Sequence, residues 1–382
     1  MYKVMLSAGE ASGDLHGASI AAELKNKVHD ICMFGMGGSE MRKEGVEIFY
    51  DIADYGVMGF VEVVKNLPRL FKLRDDLVEV MKRERPDVLV IIDYPDFNLR
   101  LAKCAKELNI PIFSYIPPSA WAWRKGRAKH VAALADQIVA IFPFETDVYD
   151  KAGAKIDFVG NPLVDLVKPK MSVEETKKFF SITNDKKTIL LLPGSRKQEI
   201  AKLLSVMLES AEKISKENDN VEFFLPLAPT ISEEIIKEML NKYNITVHLT
   251  KEHTYDLMYI ADGAIATSGT VILEAALLGL PTVVVYKMEP VSYFIAKHLV
   301  NIPNVSLPNI LAGKRVIPEL LQSEVNADRI KNELLKIIKG TAQGDTIQNE
   351  LKNVKEKLGQ PGAVGRVADL ILQTIENKAK IE

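Results

Sequence analysis

Short apolar segments alternate with longer amphipathic stretches through the first 160 residues of the chain. The short segments are rich in β-branched side chains, as strands are, and the stretches between them repeat apolar positions at helical spacing. The segment Asp87–Asp93 is a nearly unbroken apolar run, which is typical of a central parallel strand buried on both faces. This alternation predicts a mostly parallel α/β sheet. The predicted strands are 3–8, 31–34, 46–50, 87–93, 110–116, 137–142 and 155–159.

The pattern changes at about residue 161 and then resumes. Residues 161–187 are charged and contain prolines, so we interpret them as a linker between two domains. Two Rossmann-like α/β domains, 1–165 and 186–360, are expected to face each other across a cleft that holds the substrate. A last helix within 361–382 could belong to either domain. The second series of predicted strands is 188–192, 221–226, 245–249, 263–267 and 281–286.

Composition narrows the functional classes. Of 382 residues, 47% are hydrophobic and 26% charged, which is the balance of a folded protein, and a net charge of −2 attracts no nucleic acid. Cys32 and Cys104 form no C-x-x-C pair and the six histidines form no metal-binding pair, so we predict no metal. No segment is long and uncharged enough to span a bilayer, and no export signal is recognisable, so we expect a cytoplasmic protein.

Three familiar motifs are missing. Gly35–Glu40 begins like a dinucleotide-binding loop but lacks its final glycine, and no Gly-Lys-Ser/Thr sequence is present. Gly194-Ser195 lacks the second glycine of a serine-hydrolase elbow. These absences argue against an NAD enzyme, a P-loop ATPase and a serine esterase.

The loop after the first predicted strand carries the first candidate residues. It contains Glu10, Ser12, Gly13 and Asp14. A carboxylate at the carboxyl end of a strand points into the crevice where α/β proteins bind ligands, which makes Glu10 a candidate. The alternative is a well-capped turn in which Ser12 or Asp14 accepts hydrogen bonds from the first N–H groups of the helix.

A second candidate group ends the most apolar strand. Asp93, Asp96 and Asn98 follow one another closely, and two acids beside a central strand are not both expected to be solvated. Asp93 lies at the strand tip and is the better candidate for a general base that takes a proton from a hydroxyl. Asp96 or Asn98 capping the next helix is the alternative.

Two loops in the second half suit a nucleotide diphosphate. Gly194, Ser195 and Arg196 join a strand to a helix, where free N–H groups and a guanidinium form an anion site. The segment Ser268, Gly269, Thr270 also joins a strand to a helix, where its N–H and hydroxyl groups can donate to an anion. Glu274 lies one helical turn beyond it in apolar surroundings and is placed to accept from ribose hydroxyls, with a surface glutamate as the alternative.

Two segments mix apolar and basic residues, as membrane-facing surfaces do. Residues 58–74 form the first, and Trp121 and Trp123, followed by basic residues, form the second. The alternative for each is an ordinary amphipathic helix with its apolar face turned to the core. The candidate contacts to membrane or acyl chains are Met58, Phe60, Val64, Leu67, Arg69, Leu70 and Phe71.

Six motifs follow one another along the chain: Ser7–Asp14, Ile92–Asn98, Pro118–Arg124, Leu191–Arg196, Ser268–Thr270 with Glu274, and Ser306–Asn309. In this order they resemble the lipid-A-disaccharide synthase family, and the similarity spans nearly the whole chain. The first and third motifs are quite specific to that family, whereas the segment from Ser268 to Glu274 recurs among related sugar-nucleotide enzymes.

The resemblance implies a GT-B-like glycosyltransferase that inverts the anomeric centre and needs no metal or other cofactor. The implied donor is UDP-2,3-diacylglucosamine, the acceptor is 2,3-diacylglucosamine 1-phosphate, and the product is a β-1,6-linked lipid A disaccharide 1-phosphate. It also implies a base at Asp93, active-site roles for Glu10 and Asp14, a diphosphate contact at Arg196 and a donor contact at Asn309. Peripheral association with the cytoplasmic face of the inner membrane is expected.

Two other functions remain open at this stage. An epimerase acting on UDP-N-acetylglucosamine would share the scaffold but would not need the apolar-basic segment 58–74. A non-catalytic protein that binds nucleotide sugars or lipids would have little use for the paired acids Asp93 and Asp96. The oligomeric state is not predicted.

Overall fold

The computed structural model describes residues 1–54, 60–120, 126–183, 185–289 and 304–380. The chain divides into two compact units. Unit 1 comprises Met1–Pro162 together with Gln360–Glu382, and unit 2 comprises Leu163–Gly359. Each unit is built around its own sheet, and every strand pairing described is parallel.

The sheet of unit 1 has seven described strands in the order β3-β2-β1-β4-β5-β6-β7. Its central strands are apolar on both faces because helices cover both sides, and all five residues of Val88–Ile92 are buried. The first and fourth strands pair from Val4 with Val88 to Ala8 with Ile92, so their carboxyl ends lie side by side. The strands are β1 (Tyr2–Ala8), β2 (Ile31–Gly37), β3 (Glu47–Asp51), β4 (Val88–Ile92), β5 (Ile112–Tyr115), β6 (Gln137–Ala140) and β7 (Ile156–Phe158).

Helices cover both faces of this sheet. One face packs against the first helix and the last helix of the chain, whose Val367, Ala368 and Ile371 are fully buried there. The other face packs against the helices that follow β3, β4, β5 and β6. The helices are α1 (Ala11–Lys27), α2 (Ser39–Lys43), α3 (Phe60–Glu84), α4 (Pro95–Glu107), α5 (Gly126–Leu134), α6 (Pro143–Asp150) and the last helix (Ala363–Ala379).

The sheet of unit 2 has six described strands in the order β10-β9-β8-β11-β12-β13. Its centre is again apolar, since all five residues of Gly263–Thr267 are buried. The strands are β8 (Lys187–Leu192), β9 (Val221–Pro226), β10 (Val247–Thr250), β11 (Gly263–Thr267), β12 (Thr282–Tyr286) and β13 (Glu319–Leu321).

The segment interpreted as a linker contains two helices. The second begins at Ser172, whose hydroxyl accepts from the Glu175 N–H while the Glu175 carboxylate accepts from the Ser172 N–H. The helices of this unit are α7 (Leu163–Leu166), α8 (Val173–Phe180), α9 (Lys197–Glu217), α10 (Glu233–Leu240), α11 (Thr254–Ile260), α12 (Thr270–Leu277), α13 (Leu307–Ala312), α14 (Ala327–Ile337) and α15 (Ala342–Lys357); the last helix of the chain is α16.

The predicted fold class is confirmed: two parallel sheets are each covered by helices. The predicted strands all form, with ends shifted by a few residues. Strand β13 was not predicted, because it is three residues long and begins with a buried glutamate. Within the described part of the chain, no helix is at once long and apolar enough to cross a bilayer.

Candidate functional site

Glu10 and Asp93 leave the unit 1 sheet at neighbouring strand ends. Ala8 pairs with Ile92, so the two loops that follow run side by side. A side chain on Gly9 would place its Cβ 2.1 Å from the Tyr94 ring, so the loops approach this closely only with glycine there. The structure therefore brings these two predicted carboxylates together.

Asp93 and Tyr94 both adopt left-handed backbone conformations, with φ of 46° and 48°. Such conformations are strained for residues other than glycine and persist where the surroundings enforce them. Asn98 supplies that enforcement: it is fully buried, and its amide donates to the Asp93 carbonyl at 2.7 Å and to the Ser7 carbonyl at 3.1 Å. The Ser7 hydroxyl donates to the Asn98 oxygen at 2.7 Å. Asn98 thus holds the turn that presents Asp93 instead of facing a ligand itself.

The Asp93 side chain is exposed to solvent, although the neighbouring protein removes part of its hydration. Loss of hydration raises its pKa above the usual value, and the negative charge of Glu10 raises it further. A third carboxyl, Glu145 at the start of α6, is only 3% exposed and interacts electrostatically with Asp93. Burial raises the pKa of Glu145 to about 8, although the Phe142 N–H donates to it at 3.1 Å. Asp93 and Glu10 are therefore the carboxylates of this site that are suited to accept a proton, whereas Glu145 keeps its own proton near neutral pH.

Asp14 has a different position from the one expected. Its carboxylate is 4% exposed and accepts from three N–H groups at the start of α2: Gly38 at 2.7 Å, Glu40 at 3.0 Å and Met41 at 3.1 Å. It therefore caps α2, not its own helix, and a role for Asp14 beside the reacting acids stays a prediction.

The remaining residues of these loops are placed as follows. Ser12 is exposed in the first turn of α1 and makes no capping bond, and Gly13 packs against Ala8. Asp96 is 85% exposed and forms an ion pair of 2.5 Å with Arg127. The expectation that the two acids are not both solvated was therefore wrong, because Asp93 is exposed as well. No side chain caps α4.

In unit 2 the predicted diphosphate and ribose residues line one cleft of about 560 Å³. It lies at the carboxyl ends of β8 and β11, where parallel α/β sheets bind ligands. A second cleft, of about 680 Å³, lies in unit 1 at the amino-terminal ends of its strands, near Arg85 and Pro86. It contains none of the predicted residues. The predicted residues in the unit 2 cleft are Gly194, Ser195, Arg196, Ser268, Gly269, Thr270 and Glu274.

The turn from β8 into α9 depends on Gly194 and Glu199. Gly194 has a φ of 105°, and a Cβ there would lie 2.2 Å from the Glu199 carboxylate and 2.9 Å from a Thr267 methyl group. The Glu199 carboxylate accepts from the Arg196 N–H at 3.3 Å and from its guanidinium at 2.7 Å. The Arg196 side chain is 81% exposed, so it can exchange this exposed ion pair for a ligand anion at little cost.

Glu274 has a neighbour that the sequence did not reveal. Burial, followed by the nearby negative charge of the Glu274 carboxylate, raises the pKa of Tyr255 on α11 to about 12. Burial raises the pKa of Glu274 as well, and the neighbouring Tyr255 opposes that rise. The Glu274 carboxylate therefore lies near a neutral phenol.

Asn309 is not among the described residues that line the cleft, and its assignment to donor binding stays a prediction. It is fully buried, donates to the Ile317 carbonyl at 2.9 Å and to the Glu319 carboxylate at 2.8 Å, and accepts from the Val316 and Ile317 N–H groups. Ser306 donates to the same carboxylate through its N–H and its hydroxyl. The Ser306–Asn309 motif thus anchors α13 to β13.

Only part of the apolar-basic segment can be described. Met58 and the residues 121–125 lie outside the described residues, and the side chains of Phe60, Val64 and Leu67 do as well, although these three positions are helical. Arg69 is exposed and Leu70 half-buried. Phe71 is 39% exposed between the guanidinium groups of Arg74 and Arg100, 5.4 and 5.3 Å from its ring centre.

The fold defines a class: α/β proteins of two units, each built around a parallel sheet that helices cover. The chain is similar to a solved UDP-GlcNAc 2-epimerase from Neisseria meningitidis, with a TM-score of 0.66 and 15% identity over 97% of this chain and all of that one. It is also similar to a glycosyltransferase from Rickettsia africae ESF-5, with a TM-score of 0.58 and 14% identity over 98% of each chain. At such identities the likeness establishes the fold alone, which is that of GT-B glycosyltransferases and epimerases.

The family follows from the sequence comparisons. The model of the lipid-A-disaccharide synthetase family matches residues 4–370. A lipid-A-disaccharide synthase of Syntrophus aciditrophicus (strain SB) is 42% identical over 98% of both chains, and one of Geobacter sulfurreducens is 39% identical over 98% of this chain and 97% of that one. The chain belongs to the lipid-A-disaccharide synthase family and is a glycosyltransferase, which confirms the resemblance drawn from the motifs.

Proposed function

We propose that this chain transfers the glucosaminyl group of UDP-2,3-diacylglucosamine to the 6-hydroxyl of 2,3-diacylglucosamine 1-phosphate and releases UDP. Membership of the family carries the proposal. The unit 2 cleft supports it, because the chemistry of its lining suits a nucleoside diphosphate.

The donor binds in the unit 2 cleft in this proposal. The N–H groups and hydroxyls of Ser195 and of the Ser268–Thr270 segment, with the Arg196 guanidinium, hold the diphosphate. These donors stabilise the charge that develops on the leaving UDP, and each contributes on the order of 10²-fold in rate. Glu274 accepts from the ribose hydroxyls.

Asp93 is the proposed general base. It takes the proton of the acceptor 6-hydroxyl while that oxygen bonds to the anomeric carbon, and the bond from this carbon to the diphosphate oxygen breaks on the opposite face. The configuration inverts, and UDP carries away the electron pair. The raised pKa of Asp93 suits this role, because a more basic carboxylate accepts a proton more readily. Glu10 lies beside it and sustains that basicity, and Ser12 and Gly13 lie in the adjoining first turn of α1.

The test replaces Asp93 with Asn. The variant keeps the shape of the turn but cannot accept the proton, so kcat should fall at least about 100-fold while the Kd of UDP is unchanged. Disaccharide and UDP are measured by mass spectrometry, and Asp150→Asn, an exposed acid on α6, is the matched control. Near-normal turnover of Asp93→Asn would remove Asp93 from the role. Conversion of UDP-N-acetylglucosamine alone to its 2-epimer by the unaltered chain would refute the transferase proposal.

The proposal extends to the surface of the inner membrane, where acylated substrates reside. Phe71 lies between two guanidinium groups, which combines an apolar contact with a phosphate-binding charge. Sedimentation with vesicles containing anionic lipid should be stronger for the unaltered chain than for Phe71→Ser. Equal sedimentation of the two would exclude Phe71 from the contact.

A further inference from the structure

The chain turns sharply after β9, next to the unit 2 cleft. The Ile231 N–H donates to the Ala228 carbonyl at 3.0 Å, and Pro229 takes the second position of this turn, where its restricted φ is favoured. Ile231 is buried and anchors the turn, Ala228 and Pro229 line the cleft, and Thr230 is exposed. The turn therefore holds Thr230 in a defined position beside the cleft.

Thr230 connects this turn to the loop between β8 and α9. Its hydroxyl donates to the Ser195 carbonyl at 2.7 Å. That carbonyl shares one planar peptide unit with the Arg196 N–H, which donates to the Glu199 carboxylate at 3.3 Å. Hydrogen bonds therefore hold both polar groups of this peptide unit.

The orientation of this peptide unit affects anion binding, because its two polar groups carry opposite partial charges. A carbonyl oxygen that faces a diphosphate repels it, whereas N–H and hydroxyl groups that face it stabilise it. The Ser195 carbonyl instead faces Thr230, which is not among the described residues that line the cleft. Rotation of the peptide unit would break the bond to the Thr230 hydroxyl and let the carbonyl turn towards the cleft.

We infer that Thr230 is a positioning residue, which keeps the Ser195 carbonyl turned away from a bound diphosphate and so holds the Gly194–Arg196 loop in the conformation that receives it. The inference rests on the proposed donor site, and it adds a residue outside the cleft lining on which diphosphate binding depends. The bond that Thr230 makes is exposed, so its loss changes the loop and leaves the core of unit 2 unaltered. The effect is therefore confined to ligands that carry phosphate.

The experiment uses the full chain and two probes, UDP and uridine, which lacks both phosphates. Their Kd values are measured by ligand-observed nuclear magnetic resonance for the unaltered chain and for Thr230→Val, Thr230→Ser and Thr346→Val. Thr346 on α15 is the matched control, because its exposed hydroxyl also donates to a backbone carbonyl, that of Ala342 at 2.8 Å, away from the cleft lining. Circular dichroism and thermal melting establish that each variant is folded.

We expect Thr230→Val to affect UDP and not uridine. The variant should raise the Kd of UDP about threefold to tenfold, the usual range for one hydrogen bond, and leave the Kd of uridine unchanged. Thr230→Ser keeps the hydroxyl and should bind UDP within about twofold of the unaltered chain. Thr346→Val loses a comparable bond far from the loop and should bind both probes as the unaltered chain does.

Four results would overturn the inference, and they are distinguishable. Unchanged UDP binding by Thr230→Val excludes the positioning role and leaves the donor site intact. Equal weakening of UDP and uridine in that variant shows that Thr230 supports the whole cleft and not the diphosphate loop. UDP binding by Thr230→Ser as weak as that of Thr230→Val shows that the hydroxyl is not responsible. Failure of the unaltered chain to bind UDP at all removes the proposed donor site and the inference with it.

Discussion

Substitution of Asp14 tests whether this residue caps α2, as the structure indicates, or acts in the active site, as its motif implies. If the carboxylate holds the start of α2, then Asp14→Ala leaves three N–H groups without an acceptor, two of them buried. At about 1 kcal/mol for each lost bond, the free energy of unfolding of unit 1 should fall by about 3 kcal/mol.

The variant Asp14→Asn distinguishes a role of Asp14 in stability from a role in catalysis. Its remaining oxygen can still accept from Gly38 and Met41, which share one Asp14 oxygen, but its NH₂ group meets the Glu40 N–H. Only one bond is lost, together with the favourable effect of a negative charge at a helix start. We therefore expect a loss of about 1–2 kcal/mol, with kcat within a few-fold of the unaltered chain.

The assay is urea unfolding followed by tryptophan fluorescence. Trp121 and Trp123 are the two tryptophans of the chain, and both belong to unit 1, so the signal reports the unit that contains Asp14. An Asp14→Asn variant as stable as the unaltered chain but with turnover as low as that of Asp93→Asn would refute the capping argument. It would return Asp14 to the reacting residues.

Three further predictions concern both units. Asn309→Ala should lower the stability of unit 2 by about 2–4 kcal/mol, because four internal hydrogen bonds are lost, and should leave the UDP Kd of the folded protein unchanged in calorimetry. Gly194→Ala forces a Cβ against the Glu199 carboxylate at a φ of 105°, so the melting temperature should fall and the UDP Kd of the folded variant should rise about tenfold. Because burial raises the pKa of Glu145 from 4.5 to about 8, the folded chain keeps a proton that the unfolded chain loses, and stability falls as pH rises through that window. Glu145→Gln should therefore match the unaltered chain near pH 4 and exceed it in urea midpoint at pH 8.

The fold could be predicted from the sequence because the central strands of a parallel sheet are buried on both faces and therefore appear as continuous apolar segments. Strands such as Val88–Ile92 are apolar at every position, and only a strand covered on both faces requires that. Strand β13 escaped prediction because Glu319 is stabilised by Ser306 and Asn309, which are distant in the sequence. The interpretation of 161–187 as a linker overlooked α8, whose capping box at Ser172 is visible in the sequence.

Those residues of the candidate site that follow strand ends could be predicted from the sequence. Those whose role depends on hydrogen-bond partners elsewhere in the fold could not. Glu10 and Asp93 follow adjacent strands, so topology alone brings them together. Asp14 and Asn309 resemble site residues in the motifs, but their oxygens and nitrogens are taken up by N–H and C=O groups that only folding brings near.

The return of the last helix to unit 1 has a consequence for how the chain acquires its structure during synthesis. The apolar face of the unit 1 sheet is completed by Val367, Ala368 and Ile371, which leave the ribosome only after all of unit 2 has emerged. Unit 2 is continuous in sequence and can fold first. Unit 1 keeps part of its sheet uncovered until residues 360–382 have been synthesised. A stop codon shortly after residue 359 would therefore send the amino-terminal half, and not the half next to the truncation, to proteolysis or aggregation.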